Sequence, residues 1–136
     1  LKAVVLVLIA LICTALASSR PITLTAADGH RFIVASSDQK DIPMKWPRAA
    51  RSCSKLGAGW RLPTLDELRA IYKAKDSIPG LTLDFASSLY LSGTTELSDD
   101  PSVEPSAWDL RLADGSDSIF PESVEEGRVR CVISRP

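Results

Sequence analysis

Lys45, Arg48, Arg51 and Lys55 recur at intervals of three and four residues. That spacing puts them on one side of a helix. A row of ammonium and guanidinium groups there would grip sulfate or carboxylate through charge-assisted hydrogen bonds, and Arg61 extends the row. The plainer reading of the same residues is a solvated helix face. Farther along, Asp99, Asp100, Glu104 and Asp109 crowd into one polar stretch. Calcium takes six to eight oxygens, and these four carboxylates supply part of such a set. A solvated acidic loop is the favoured reading, so no cofactor is expected and calcium is kept as the minor alternative.

Other chemistries are poorly supplied. The 136 residues contain one histidine, His30, and three cysteines, Cys13, Cys53 and Cys131. There is no Cys-x-x-Cys pair, which argues against a zinc site. A cysteine nucleophile would have only His30 as its imidazole base. A glycosidase needs two carboxyl groups at a set separation, and nothing singles out two of the acids. The formal net charge of −1 and pI near 5.8 disfavour nucleic acid as a partner. Charge is nevertheless segregated. Residues 31–75 hold ten Lys/Arg against four Asp/Glu, and residues 76–127 hold one Arg against twelve acids. Such asymmetry either neutralises itself across the fold or marks two faces with different ligands.

Lys2, the apolar run from Ala3 to Leu16 and Ala15-Leu16-Ala17 read as a secretory signal peptide over 1–17. The run falls short of the roughly 20 residues of a membrane span, so no stable span is expected after cleavage; an uncleaved anchor is the rival reading. Ile12 argues against lipoprotein processing at Cys13. Residues 18–136 then form a single domain, secreted or periplasmic. In an oxidising compartment the two remaining cysteines, Cys53 and Cys131, pair by default. A loop that long should be worth roughly 4 kcal/mol in the chain-entropy picture.

These residues need positioning elements. Ile22–Thr25 and Arg31–Val34 flank Asp28-Gly29, a hairpin signature. Pro47 suits the first turn of a helix whose apolar side is Trp46, Ala49, Ala50, Cys53 and Leu56. Gly57 and Gly59 end it, one of them as a left-handed cap. Pro63 precedes Thr64, and Thr64 with Glu67 spells a capping box for a second helix that buries Leu65, Leu68, Ile71 and Tyr72. Leu89–Leu91 reads as a short strand and Thr94–Ser106 as a long polar loop, hence a functional candidate. Ala107–Leu112 alternates Trp108, Leu110 and Leu112 inward against Asp109 and Arg111 outward. Asp114-Gly115 turns it toward Ser118–Phe120, and Arg128–Ile133 alternates as the closing strand. Two strands, two helices and three or four short strands make an α+β pattern with antiparallel sheet. Trp60 and Trp108 are expected in the core rather than under a sugar ring, and Arg61 is expected to pair with an acid or a carbonyl.

Taken in order, Trp46…Ala50…Cys53, Gly59-Trp60-Arg61-Leu62-Pro63-Thr64…Glu67-Leu68, Ser92-Gly93-Thr94-Thr95-Glu96, Ala107-Trp108 and Val129-Arg130-Cys131-Val132 resemble the C-terminal domain family of Legionella collagen-like protein. The match spans about 44–133. The chain has Tyr90-Leu91-Ser92-Gly93-Thr94 where that family usually has Tyr-Trp-Ser-Ser-Thr, so one aromatic is missing. The resemblance implies a C-type-lectin-like fold of two helices on short antiparallel strands, with a disulfide from the first helix to the last strand. It also implies an extracellular or envelope ligand, polysaccharide or protein, with sulfated polysaccharide suggested for the namesake, and no catalytic residues. Glu104-Pro105-Ser106 and Trp108-Asp109 resemble the Glu-Pro-Asn and Trp-Asn-Asp motifs of true C-type lectins with both asparagines absent. The expectation is therefore an exported, non-catalytic binding or adhesion module. An envelope assembly subunit is the alternative, and an enzyme on a fold related to formylglycine-generating enzymes is less favoured.

Overall fold

A computed structural model describes residues 21–40 and 42–136; the expected signal peptide lies outside the described residues. The chain opens with the hairpin. Strand β1 (Ile22–Thr25) pairs antiparallel with β2 (Arg31–Val34), and Gly29 takes the positive φ of 91° that the turn requires. β2 also pairs with the closing strand β8 (Val132–Arg135), so the two ends of the described chain share one three-stranded sheet. A second three-stranded sheet is a meander of β4 (Leu89–Glu96), β5 (Ser106–Arg111) and β6 (Asp117–Pro121). The short strands β3 (Met44–Lys45) and β7 (Glu126–Gly127) pair separately.

Helix α1 (Trp46–Ser52) has Pro47 in its first turn and runs directly into a 3-10 turn at Cys53–Leu56. That change of pitch corrects one expectation. The 3.6-residue spacing would bury Leu56, but the tighter turn swings it outward to 47% exposure, while Ala49 and Cys53 stay buried. Gly57 ends the turn with φ 136° and ψ 173°, an extended glycine-only conformation, and the left-handed φ, 87°, falls at Gly59. Helix α2 (Leu65–Lys73) carries the capping box as read: the Thr64 hydroxyl accepts from the Glu67 N–H, and the Glu67 carboxylate accepts from the Thr64 N–H. Its buried face holds Leu65, Leu68 and Ile71, with Tyr72 half-buried.

Two apolar cores follow. Phe32, Val34, Leu68, Ile71, Tyr90, Leu110 and Val132 gather under α2. Met44, Ala49, Cys53, Leu62, Leu91, Val129 and Cys131 gather under α1, with Trp46 and Trp60 half-buried against them. The Cys53–Cys131 disulfide lies in the second core and closes a 78-residue loop. It joins the 3-10 turn after α1 to the residue preceding β8.

The strands correct three further readings. β4 continues through a register shift to Glu96, so the polar loop is 97–105, and Ser106 already belongs to β5. On β5, the middle strand of its sheet, Asp109 is fully buried rather than outward, and Trp108 is half-buried against the first core. The closing strand starts at Val132, not Arg128. Residues 128–131 cross between sheets, with the Gln39 N–H donating to Val129 O and the Ala35 N–H to Cys131 O.

Candidate functional site

Residues 37–40 fold against α1 and its 3-10 turn. This brings Lys40, Arg48, Arg51 and Lys55 around one open groove of about 640 Å³. Ser37, Gln39 and Ser52 add neutral hydrogen-bonding groups, Asp38 adds a carboxylate held by Arg130 and Tyr90, the buried Met44 lies beneath, and the exposed Leu56 adds apolar surface. Three of the predicted row therefore meet, joined by Lys40. Lys40 sits in a turn-rich stretch with no periodicity, so no sequence signal marked it. Lys45 instead sits 3.4 Å from Glu126 across the β3–β7 pair. Among the described residues, Lys40, Arg51 and Lys55 make no ion pair.

Arg61 leaves the row altogether. Its guanidinium grips both oxygens of Glu67 at 2.6 and 3.1 Å and reaches Leu62 O at 3.2 Å, which matches the expected pairing. Glu67 is fully buried and has a further partner that sequence reasoning missed: His30 Nε2 at 3.0 Å, with Asp28 on the other ring nitrogen. Burial pushes the Glu67 carboxyl up, but Arg61, the Thr64 N–H and His30 outweigh it and hold it below the usual range. The hydrogen bonds to Glu67 and Asp28 raise His30. This corner is a closed ion network, so Glu67, Thr64 and the buried Pro63 hold the scaffold together.

The acidic candidates scatter. Glu104 holds the Ser123 N–H and hydroxyl, and Asp100 caps its own turn through Ser102. Asp99 is exposed. Asp109 faces inward to Ser118 and Glu125. No group of three or more His, Cys, Asp or Glu side chains among the described residues stands close enough to hold a metal ion. Trp108 donates from Nε1 to Glu96 at 3.2 Å, and Trp60 packs on the second core.

Two further polar centres are buried. Arg130, 1% exposed, donates to Asp38 at 2.6 Å and to the carbonyls of Ala35 and Pro79. Tyr90 donates to the same Asp38, and burial pushes its hydroxyl up to about 12. Glu125 and Asp109 form a buried carboxyl pair that leaves Oδ2 and Oε2 without a partner. Burial, then the hydrogen bond to Asp109, pushes Glu125 up to about 9.

Compared with solved structures, the chain matches the crystal structure of botrocetin over 85% of its own length and 98% of the other's, with TM-score 0.51 and 13% identity. The fold is C-type-lectin-like. The Cys53–Cys131 disulfide and the two helices on antiparallel strands accord with that fold. No family model matches the sequence, and no curated protein does. On this C-type-lectin-like frame the basic groove lies on α1, and the acidic loop is the one between β4 and β5.

Proposed function

We propose that the chain is an exported, non-catalytic binding module that takes an anionic polysaccharide in the α1 groove. The observation that carries the reading is the convergence of Lys40, Arg48, Arg51 and Lys55 on one open groove, where sulfate or carboxylate would find several cationic donors at once. Its breadth and openness suit a chain lying across it better than a small molecule enclosed within it. The resemblance to the Legionella collagen-like protein C-terminal domain family supports the same ligand class and an extracellular or envelope setting. Nucleophilic catalysis is the less supported reading. Both described cysteines are in the disulfide, and His30 is held between two carboxylates.

Binding of the protein to an immobilised sulfated polysaccharide, a carboxylated one and a neutral dextran tests this. Retention on the anionic matrices alone is expected, weakening with salt and unchanged by a calcium chelator. The substitution of Arg51 and Lys55 together by alanine should lower affinity at least about tenfold, the equivalent of about 1.4 kcal/mol. No retention on either anionic matrix at low salt would sink the reading. An assembly subunit of the envelope is the second reading, favoured by the exposed apolar residues of the 97–105 loop.

A further inference from the structure

The groove is one half of a complementary pair displayed by the same molecule. The other half is the 97–105 loop between β4 and β5. Leu97 stands 81% exposed at its start, Val103 is 52% exposed near its end, and Asp99, Asp100 and Glu104 surround them. The loop is held in shape. Asp100 fastens Ser102 and Val103, Glu104 fastens Ser123, and the Glu122 N–H donates to Pro105 O. Little ordering entropy would then be lost on docking. Its chemistry is an acidic, apolar-tipped peptide. The groove presents its cations beside the exposed Leu56, and the Asp38 carboxylate in its lining is already held by Arg130 and Tyr90. Among the described residues no ion pair joins Lys40, Arg51 or Lys55 to these acids within one molecule.

We propose that the groove of one molecule takes the 97–105 loop of a second copy, so that copies associate head to tail. The inference rests on the reading of the groove as an anion site and names a protein occupant for it. Because groove and loop are different surfaces, the contact is heterologous and each added copy leaves a free groove and a free loop. Association of this kind extends into open chains unless the rotation closes a ring. A single loop in a single groove lies at the small end of specific interfaces, below about 1,200 Å², so the association is weak, concentration-dependent and salt-sensitive. Anionic polysaccharide and the loop compete for the same cations.

Sedimentation analysis without polysaccharide tests it. The wild-type chain should form larger species with rising concentration at about 0.05 M salt and revert to monomer at about 0.5 M, where screening is strong. Arg51→Glu with Lys55→Glu should weaken association at least about tenfold, and so should Leu97→Lys with Asp99→Lys. None of these four side chains holds the fold together. Mixing the two variants should restore association, since each then meets a surface of opposite charge. A wild type that stays monomeric at low salt, or variants that associate as well as wild type, or mixtures that stay monomeric, would overturn the proposal. The two readings separate cleanly. Polysaccharide binding by a monomeric protein removes this inference alone, and self-association without polysaccharide binding removes the ligand class instead. The Leu97→Lys, Asp99→Lys variant should keep its polysaccharide affinity while losing self-association.

Discussion

Glu67 and Glu125 are buried to nearly the same degree, at 0% and 2% exposure, yet they titrate in opposite directions. Glu67 accepts from Arg61, His30 and the Thr64 N–H and is held below its usual range. It is also the third residue of α2, where the helix dipole favours negative charge. Glu125 has only Asp109, another acid, and is pushed up to about 9. Asp109 sits in mid-strand, with the Ser118 hydroxyl as its other partner, so neither a cation nor a dipole offsets the burial. Burial alone therefore does not decide the charge of a carboxyl group; the sign of its partners does. The first centre is a structural ion cluster, and the second is a pair that holds a proton at neutral pH.

Removing the cation from the first centre should make it resemble the second, and this is the largest effect expected. Arg61→Met keeps the aliphatic stem and leaves the buried Glu67 with the Thr64 N–H and with His30 as its remaining cationic partner. The cost should be about 2 kcal/mol at pH 7, below the usual range for a buried pair because Arg61 is itself 37% exposed. The pH profile sharpens the test. In the wild type the Glu67 contribution is present above the unfolded value near 4.5 and is lost as pH falls through the lower folded value. In the variant that acid limb should shrink. Urea unfolding at pH 3.5, 5 and 7 measures it, and an unchanged limb would mean that Arg61 does not set the charge of Glu67.

The second centre should respond in the opposite sense. With Glu125 at about 9 in the folded chain and near 4.5 unfolded, stability falls as pH rises between those values, by up to about tenfold in the unfolding equilibrium per pH unit. Glu125→Gln places a neutral donor beside the Asp109 carboxylate and removes that slope. At pH 8 the variant should be more stable than wild type, with the two converging toward pH 5. Parallel denaturation curves from pH 5 to 9 would show that the pair does not share a proton.

The contrast also marks what the sequence made legible. The Thr64–Glu67 box and the hairpin at Asp28-Gly29 are local patterns, and both appear as read. The Cys53–Cys131 pairing follows from cysteine count and compartment, without geometry. Glu67 read as a cap because its backbone partner is three residues away; His30, its distant partner, is 37 residues away and carries no pattern linking it to the helix. Asp109 was misplaced for a related reason. Alternation assumes one wet face, but β5 buries Asp109 and Leu110 on opposite faces, so the period of two no longer separates inside from outside there. The groove was half visible: Arg48, Arg51 and Lys55 keep helical spacing, whereas Lys40 arrives on an aperiodic loop. Arg130 sits in a segment that reads as an alternating strand but crosses between sheets, so its burial could not be read from spacing.

The smallest expected effect separates the two cationic partners of Glu67. His30 is half-exposed and lies between Asp28 and Glu67. The hydrogen bond to Glu67, then that to Asp28, raises it above its unfolded value of 6.5. A raised histidine contributes fully below that unfolded value and loses its contribution as pH rises through the folded one. His30→Gln should therefore be less stable than wild type at pH 5.5, with the difference closing as pH rises past the raised value. Glu125 titrates over part of the same range, but it is present in both chains and cancels in the difference. A guanidinium does not titrate in this range, so the gap produced by Arg61→Met should persist at pH 9 where the His30 gap has closed. Paired denaturation of the three chains at pH 5.5 and 9 makes the comparison. A His30→Gln gap of equal size at both pH values would mean that the imidazole acts as a neutral hydrogen-bonding spacer, and that Arg61 alone supplies the charge distinguishing Glu67 from Glu125.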